Sequence, residues 1–123
     1  MSKYFTPEET KCHCDCGINN INPLLLIMLD NMRDAFGKPI ILACACRCPK
    51  HNKEVGGKPD SAHISTTNEQ CEAADIQCLD SYTRYELVGI AYRLGIKRME
   101  VGKTWIHIDI DRNKPQRVMF LPD

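Results

Sequence analysis

The sequence predicts an α+β domain, and three observations predict it. Apolar residues recur at helical spacing from Leu25 to Phe36, a second helical stripe runs from Leu87 to Leu94, and strict alternation marks Trp105 to Asp111. Both periods fall within 123 residues, a length that fits a single domain over residues 1–123. A chain of that size buries roughly two thirds of the surface its unfolded form exposes, so a core needs no cross-links.

Each element has a local reason. Thr6-Pro7-Glu8-Glu9 is a capping box that opens one or two helical turns. Asn22-Pro23 supplies an N-cap and a proline at the first helical position, and Leu25, Met28, Leu29, Met32 and Phe36 form the buried stripe before Gly37 stops the helix. Pro39 to Ala43 is a short apolar run after a breaker and reads as a buried strand. Cys48-Pro49 starts a short polar helix ending at Gly56-Gly57, and residues 58–72 are turn-rich and read as loop. Ala73 to Ile76 reads as a short strand. Thr83-Arg84-Tyr85-Glu86 reads as a second capping box ahead of the stripe Leu87, Ile90, Ala91 and Leu94. Strands are expected over Arg98 to Val101, Trp105 to Asp111 and Val118 to Leu121.

Composition narrows the function. Hydrophobic residues at 43% and charged residues at 26% exclude a disordered tail or a fibre. Lys plus Arg and Asp plus Glu balance at 16 each, so the broad basic field of a sequence-blind nucleic-acid binder is missing. No apolar run approaches the roughly 18 residues that span a bilayer. The N-terminus has no signal-peptide apolar region, so the expectation is a chain made and kept in a cytoplasm, or released by another route.

Eight cysteines are many for such a chain. Without a signal peptide, thiols or metal ligands are expected over a disulfide framework. Cys12, Cys14 and Cys16 form one Cys-x-Cys-x-Cys triplet, and Cys44, Cys46 and Cys48 form another. On an extended segment each triplet would show three sulfurs on one face. Two readings stay open for the second: a metal site, or small buried apolar side chains at a strand end. His13, among three cysteines, reads as a loop histidine or as a member of a structural metal site, and His51 reads as a surface one.

The alternating stretch carries the chemistry. Ile106, Ile108 and Ile110 take one strand face, the core; Trp105, His107, Asp109 and Asp111 take the other. A histidine between a tryptophan and an aspartate suits the floor of a site as well as a half-buried surface. Asp75, in the apolar Ala73-Ala74-Asp75-Ile76, needs a partner or a metal, because burying a bare carboxylate is costly. With His63 these residues offer two imidazoles and one carboxylate, a set that leaves a fourth zinc position open.

The chain resembles the zinc D-Ala-D-Ala carboxypeptidases, the peptidoglycan metallopeptidases that share a fold with the Hedgehog signalling domain. The resemblance runs from Phe5 to about Phe120 and rests on an ordered set of short pieces. These are a cysteine-bearing N-terminal loop, Phe36-Gly37-Lys38-Pro39-Ile40, Arg47-Cys48-Pro49-Lys50-His51-Asn52, Val55-Gly56-Gly57, Ser61-Ala62-His63, Ala73-Ala74-Asp75-Ile76 and Trp105-Ile106-His107-Ile108-Asp109. It implies a small, mainly antiparallel sheet with helices packed on one side and Zn2+ in a cleft. It implies His63, Asp75 and His107 as zinc ligands, Arg47 as the arginine that binds substrate and steadies the transition state, and Ser61 and Trp105 at the substrate. Trp105 reads equally as a cover for the sheet edge.

This chain departs from that pattern in three places. Eleven residues, Ile64 to Ala74, separate His63 from Asp75, more than the family's usual gap, as an insertion beside the cleft would give. Cys44-Ala45-Cys46 replaces the usual Ser-Gly-Tyr before the arginine, and Thr104 stands where some relatives carry a general-base glutamate. The base then falls to Asp109 first, on His107's strand face, and Glu100 second; Asp109 reads alternatively as a partner that orients His107. The implied function is hydrolysis of peptidoglycan stem peptides at a D-Ala bond. The alternatives are cleavage of the L-Ala-D-Glu bond and a zinc-stabilised binding module without turnover. The expected partner is a stem peptide, with no nucleic acid or membrane; the expected form is a monomer, suited to a phage-encoded lysin released at lysis.

Overall fold

A computed structural model of the protein describes residues 2–122, so the two ends of the expected 1–123 domain lie outside the described residues. The element order is α1 (Pro7–Thr10), α2 (Pro23–Phe36), β1 (Leu42–Cys44), α3 (Pro49–Glu54), β2 (Ala73–Gln77), α4 (Ser81–Arg93), β3 (Arg98–Val101), β4 (Trp105–Asp109) and β5 (Val118–Phe120). The five strands form one sheet in the order β1-β2-β4-β3-β5, antiparallel except for the β3–β5 pair. No described helix is long and apolar enough to cross a membrane.

Local caps set the helices. The Asn22 side chain accepts from Leu24 N–H, and Gly37 ends α2 in the left-handed conformation at φ 74°. Glu9 reaches back to the Thr6 N–H at 3.0 Å to close the start of α1. α4 starts earlier than the Thr83–Glu86 pattern predicts. Asp80 is its N-cap and accepts from Thr83 N–H at 2.8 Å, so Thr83 lies inside the helix and donates its own hydroxyl to Asp80.

One face of the sheet makes the core. Ala74, Ile76, Ile106, Ile108 and Met99 pack with Leu25, Leu29 and Met32 of α2 and with Leu87, Ile90 and Ala91 of α4, all nearly or wholly buried. Ladder register follows: Ala74 faces Ile108, Ile76 faces Ile106, and Met99 faces Ile108 on the other side. Burial of those side chains is worth about 1.5–3 kcal/mol each before chain entropy is charged against it.

Two strands differ from expectation. The apolar run at Pro39 to Ala43 does not pair along its length; β1 begins only at Leu42, and its register against β2 shifts between Leu42 and Cys44. β4 ends at Asp109: Ile110 N–H still reaches the Glu72 carbonyl at 3.0 Å, and the Asp109 carboxylate accepts from Asp111 N–H at 3.1 Å where the chain then turns away. Ile110 is therefore only half-buried.

Candidate metal centre

The opposite face of the sheet carries the polar side chains, and register aligns them. Cys44 of β1 pairs with Asp75 of β2, Asp75 with His107 of β4, His107 with Glu100 of β3, and Glu100 with Phe120 of β5. Paired residues project from the same face, so one row crosses the whole sheet. His63 reaches this row from the 55–72 loop. Its N–H donates to the Ser61 hydroxyl at 3.2 Å, and its carbonyl accepts from Arg47 N–H at 2.8 Å.

Asp75 Oδ1 lies 3.1 Å from His63 Nε2 and 2.9 Å from His107 Nδ1. The far nitrogen of each ring is already engaged. His63 Nδ1 sits 2.6 Å from the Ala45 carbonyl, and His107 Nε2 sits 2.8 Å from Asp109 Oδ2. Those oxygens only accept, so the ring protons belong on the far nitrogens and both lone pairs turn toward Asp75. Two lone pairs and a carboxylate oxygen then face one another, an arrangement that repels unless a cation or extra protons intervene. Ligand atoms around a tetrahedral ion with bonds of about 2.0–2.1 Å stand about 3.3 Å apart, near the two distances seen. The donor types suit a metal ion, and both distances to Asp75 fit neighbouring ligands of one.

Without metal, protons fill that role. Burial alone would raise the Asp75 pKa, but hydrogen bonds to His107 and His63 hold it well below the usual carboxylate range. Burial alone would lower His107; Asp109 and Asp75 instead raise it to about 9.

Cys44 offers a competing set, since its sulfur groups with His63 and Asp75. Its Sγ approaches His63 Nδ1 at 3.8 Å, the nitrogen bonded to Ala45. Burial pushes the Cys44 thiol up to about 11 in the metal-free protein. His107 is the better third donor.

The other expected residues fall into distinct places. Arg47, Ser61, Glu100 and Trp105 line, with His63, Asp75 and His107, a cleft of about 560 Å³. Arg47 is held beside His63 on both sides, its carbonyl accepting from Ser65 N–H at 2.8 Å. Its Nε is buried and finds no partner among the described residues. Trp105 lies half-buried over Gly102, where any added Cβ would strike the indole. Asp109 has both oxygens engaged, Oδ2 by His107 and Oδ1 by Arg98 Nε at 2.9 Å, and its side chain is 1% exposed. The insertion after His63 leaves the cleft lining, which passes from His63 to Asp75. It docks instead on residues 20–22, through Asn20 to Thr66 and through Asn22 to Cys71 and Glu72.

Sequence reasoning missed Arg98 and Phe120. Arg98 is buried, pairs with Asp109, donates to the Pro115 carbonyl at 2.6 Å and stacks 5.2 Å from the Phe120 ring. The one available signal was a charged pair, Lys97-Arg98, between the apolar Ile96 and Met99 where a strand begins. The second cysteine triplet does not act as a unit: Cys44 meets His63, Cys46 meets Asn19, and Cys48 meets the first triplet.

No curated protein matches the chain. The Peptidase M15 family model matches residues 3–109, a span that contains both histidines, Asp75, Arg47, Glu100 and Asp109. Over that span, and with a donor set suited to a metallopeptidase, the chain belongs to the Peptidase M15 family.

Proposed function

We propose that the protein is a zinc-dependent hydrolase of peptidoglycan stem peptides, acting at a D-Ala bond as a carboxypeptidase or endopeptidase. The observation that carries this reading is Asp75 set between His63 and His107, with Oδ1 within 3.1 Å of one ring nitrogen of each, in the cleft that Arg47 also lines. Zinc held there would supply a Lewis acid for a peptide carbonyl and a nucleophilic water at neutral pH.

The chain's own residues do the rest. Arg47, which lines the cleft and whose Nε has no partner among the described residues, receives a substrate carboxylate or the oxygen on which charge develops. Glu100, opposite His107 and open to the cleft, takes and returns the proton. Asp109 is spent on His107 and Arg98, so its role is to orient the ring and fix its tautomer. Trp105 and Phe120 provide apolar walls for a peptide of small side chains. Glu100 also supplies the carboxylate missing at Thr104, which favours turnover over a purely binding role.

The test is digestion of purified peptidoglycan and of a synthetic pentapeptide stem, with products read by mass spectrometry. Release of D-Ala or cleavage at its bond is expected, abolished by chelator and restored by zinc. Products cut between L-Ala and D-Glu would move the scissile bond. Stem-peptide binding without any product at saturating zinc would overturn the catalytic reading.

A further inference from the structure

A second cluster lies outside the cleft. Cys12, Cys14 and Cys16 come from the N-terminal loop and Cys48 from the N-cap of α3, and all four sulfurs lie within 4.8 Å of one another. Cys12 and Cys14 sulfurs are 3.4 Å apart, and Cys14 and Cys48 sulfurs 3.6 Å apart. A disulfide would need about 2.05 Å, and all eight cysteines are free. Four sulfurs at about 2.3 Å from a zinc ion lie about 3.8 Å from each other, so the cluster already has the dimensions of a tetrahedral thiolate cage.

The backbone is arranged around the sulfurs as it is around thiolate ligands. Cys12 Sγ accepts from Cys48 N–H at 3.3 Å, Cys48 Sγ from His51 N–H at 3.3 Å, and Cys16 Sγ from Ile18 N–H at 3.5 Å. Such bonds orient a ligand and offset its negative charge. Gly17, at φ 71°, makes the reversal that lets Cys12 N–H reach the Ile18 carbonyl at 2.8 Å, closing the loop on its own cysteines. Chains of Cys-x-Cys spacing lack the usual two-residue knuckle gap; here the left-handed turn and a fourth ligand from a distant segment take its place.

We propose that Cys12, Cys14, Cys16 and Cys48 bind a structural zinc ion, independent of the His63, Asp75 and His107 centre. Four protein ligands close the coordination sphere, which leaves no position for substrate and marks the site as structural. Its place in the fold gives it a use. Cys48 follows Arg47 directly, and Cys46 N–H bonds the Thr10 carbonyl at 3.0 Å. The ion would therefore tie the N-terminal loop to the stretch that holds Arg47 at the cleft, and its binding energy becomes folding energy for a loop with little apolar burial of its own.

The experiment uses the full chain, purified without added metal. Metal analysis is expected to give two zinc ions per chain. Cys14→Ser should lose one while Asp75→Ala loses the other, and thiol titration of the denatured wild type should count all eight cysteines without reductant. Should Cys14→Ser fail to fold, zinc X-ray absorption on the wild type decides: sulfur ligands alongside nitrogen and oxygen support the site. A zinc shell without sulfur, unchanged stoichiometry in a folded Cys14→Ser protein, or thiols lost to disulfides would overturn it. Because the readout is metal content and ligand type, it stands whether or not the cleft hydrolyses stem peptides.

Discussion

Asp109 holds His107 from behind, with Oδ2 2.8 Å from Nε2, while its other oxygen is held by Arg98 at 2.9 Å. That pairing turns the free lone pair of His107 toward Asp75 and engages both Asp109 oxygens, as suits an orienting partner. Asp109→Asn should therefore weaken zinc binding roughly ten- to hundredfold, yet keep a near-normal single-turnover rate at saturating zinc. Glu100→Gln should do the reverse, keeping zinc and losing about a hundredfold to ten-thousandfold in rate. Zinc affinity and single-turnover rate measured on both proteins check the assignment. A dead Asp109→Asn at full occupancy beside an active Glu100→Gln would exchange the two roles.

The same geometry sets a pH dependence. His107 is raised to about 9 in the metal-free protein, above its ordinary value of 6.5. Its contribution to metal-free stability is then fully present below pH 6.5 and lost as pH rises through 9. Zinc needs the unprotonated ring, so apparent zinc affinity should climb by about tenfold per pH unit from neutrality to about 9 and flatten above it. Competition titrations against a chelator across that range would show the break. In Asp109→Asn, one of the two anions that raise His107 is gone, and the break should move to lower pH.

How far the sequence reaches is visible in which partners each residue needs. Asn22, Pro23 and Gly37 bound α2 through contacts within a turn, and those were legible. The α4 start was less so, because two capping candidates stand three residues apart and only Asp80 is aimed at a free N–H. Pro39 to Ala43 is apolar enough for a strand, but strand limits depend on the partner, and β2 reaches it only at its end, Gln77 N–H bonding the Ile41 carbonyl and Ile76 pairing with Leu42. His63, Asp75 and His107 could be named by type, and the resemblance put them together; the row through Glu100 and Phe120 exists only once register is known. Cys48 looked like the end of one triplet. Capping α3 turns it away from β1 and toward Cys14, a long-range outcome no spacing encodes.

Arg47→Lys should fold, keep its zinc and lose about a hundredfold in kcat/KM. Lysine retains the charge but not the planar fork or the Nε donor, which is buried here with nothing in the described chain to satisfy it. Loss of one donor at a developing oxyanion is worth about that factor. Zinc content and Tm on the same preparation separate this from a folding defect. An unchanged kcat/KM would remove Arg47 from the chemistry.

Gly57 provides a test of Arg47 that leaves the arginine itself in place. A Cβ at position 57 would lie 2.8 Å from Arg47 Nη1 and would strike the Asn52 amide. Asn52 cannot retreat easily: it is 3% exposed, and its Nδ2 donates to the Lys58 carbonyl at 2.9 Å. The overlap with Asn52 can be relieved only by a shift of the turn, and Arg47 Nη1 stands beside it, so Gly57→Ala should displace the guanidinium along with the Asn52 amide. The expected result is retained zinc, a loss of about 1–3 kcal/mol of stability from overpacking, and a kcat/KM approaching that of Arg47→Lys. The double variant should then lose little more activity than either single one, since both act on the same group. Gly56→Ala is the control. Gly56 sits at φ 77° with no atom within 4 Å of an added Cβ, so that change strains the backbone without touching the arginine. It should cost stability and spare kcat/KM. Equal activity losses in Gly56→Ala and Gly57→Ala would mean that the turn as a whole, and not the space beside Arg47, supports the reaction.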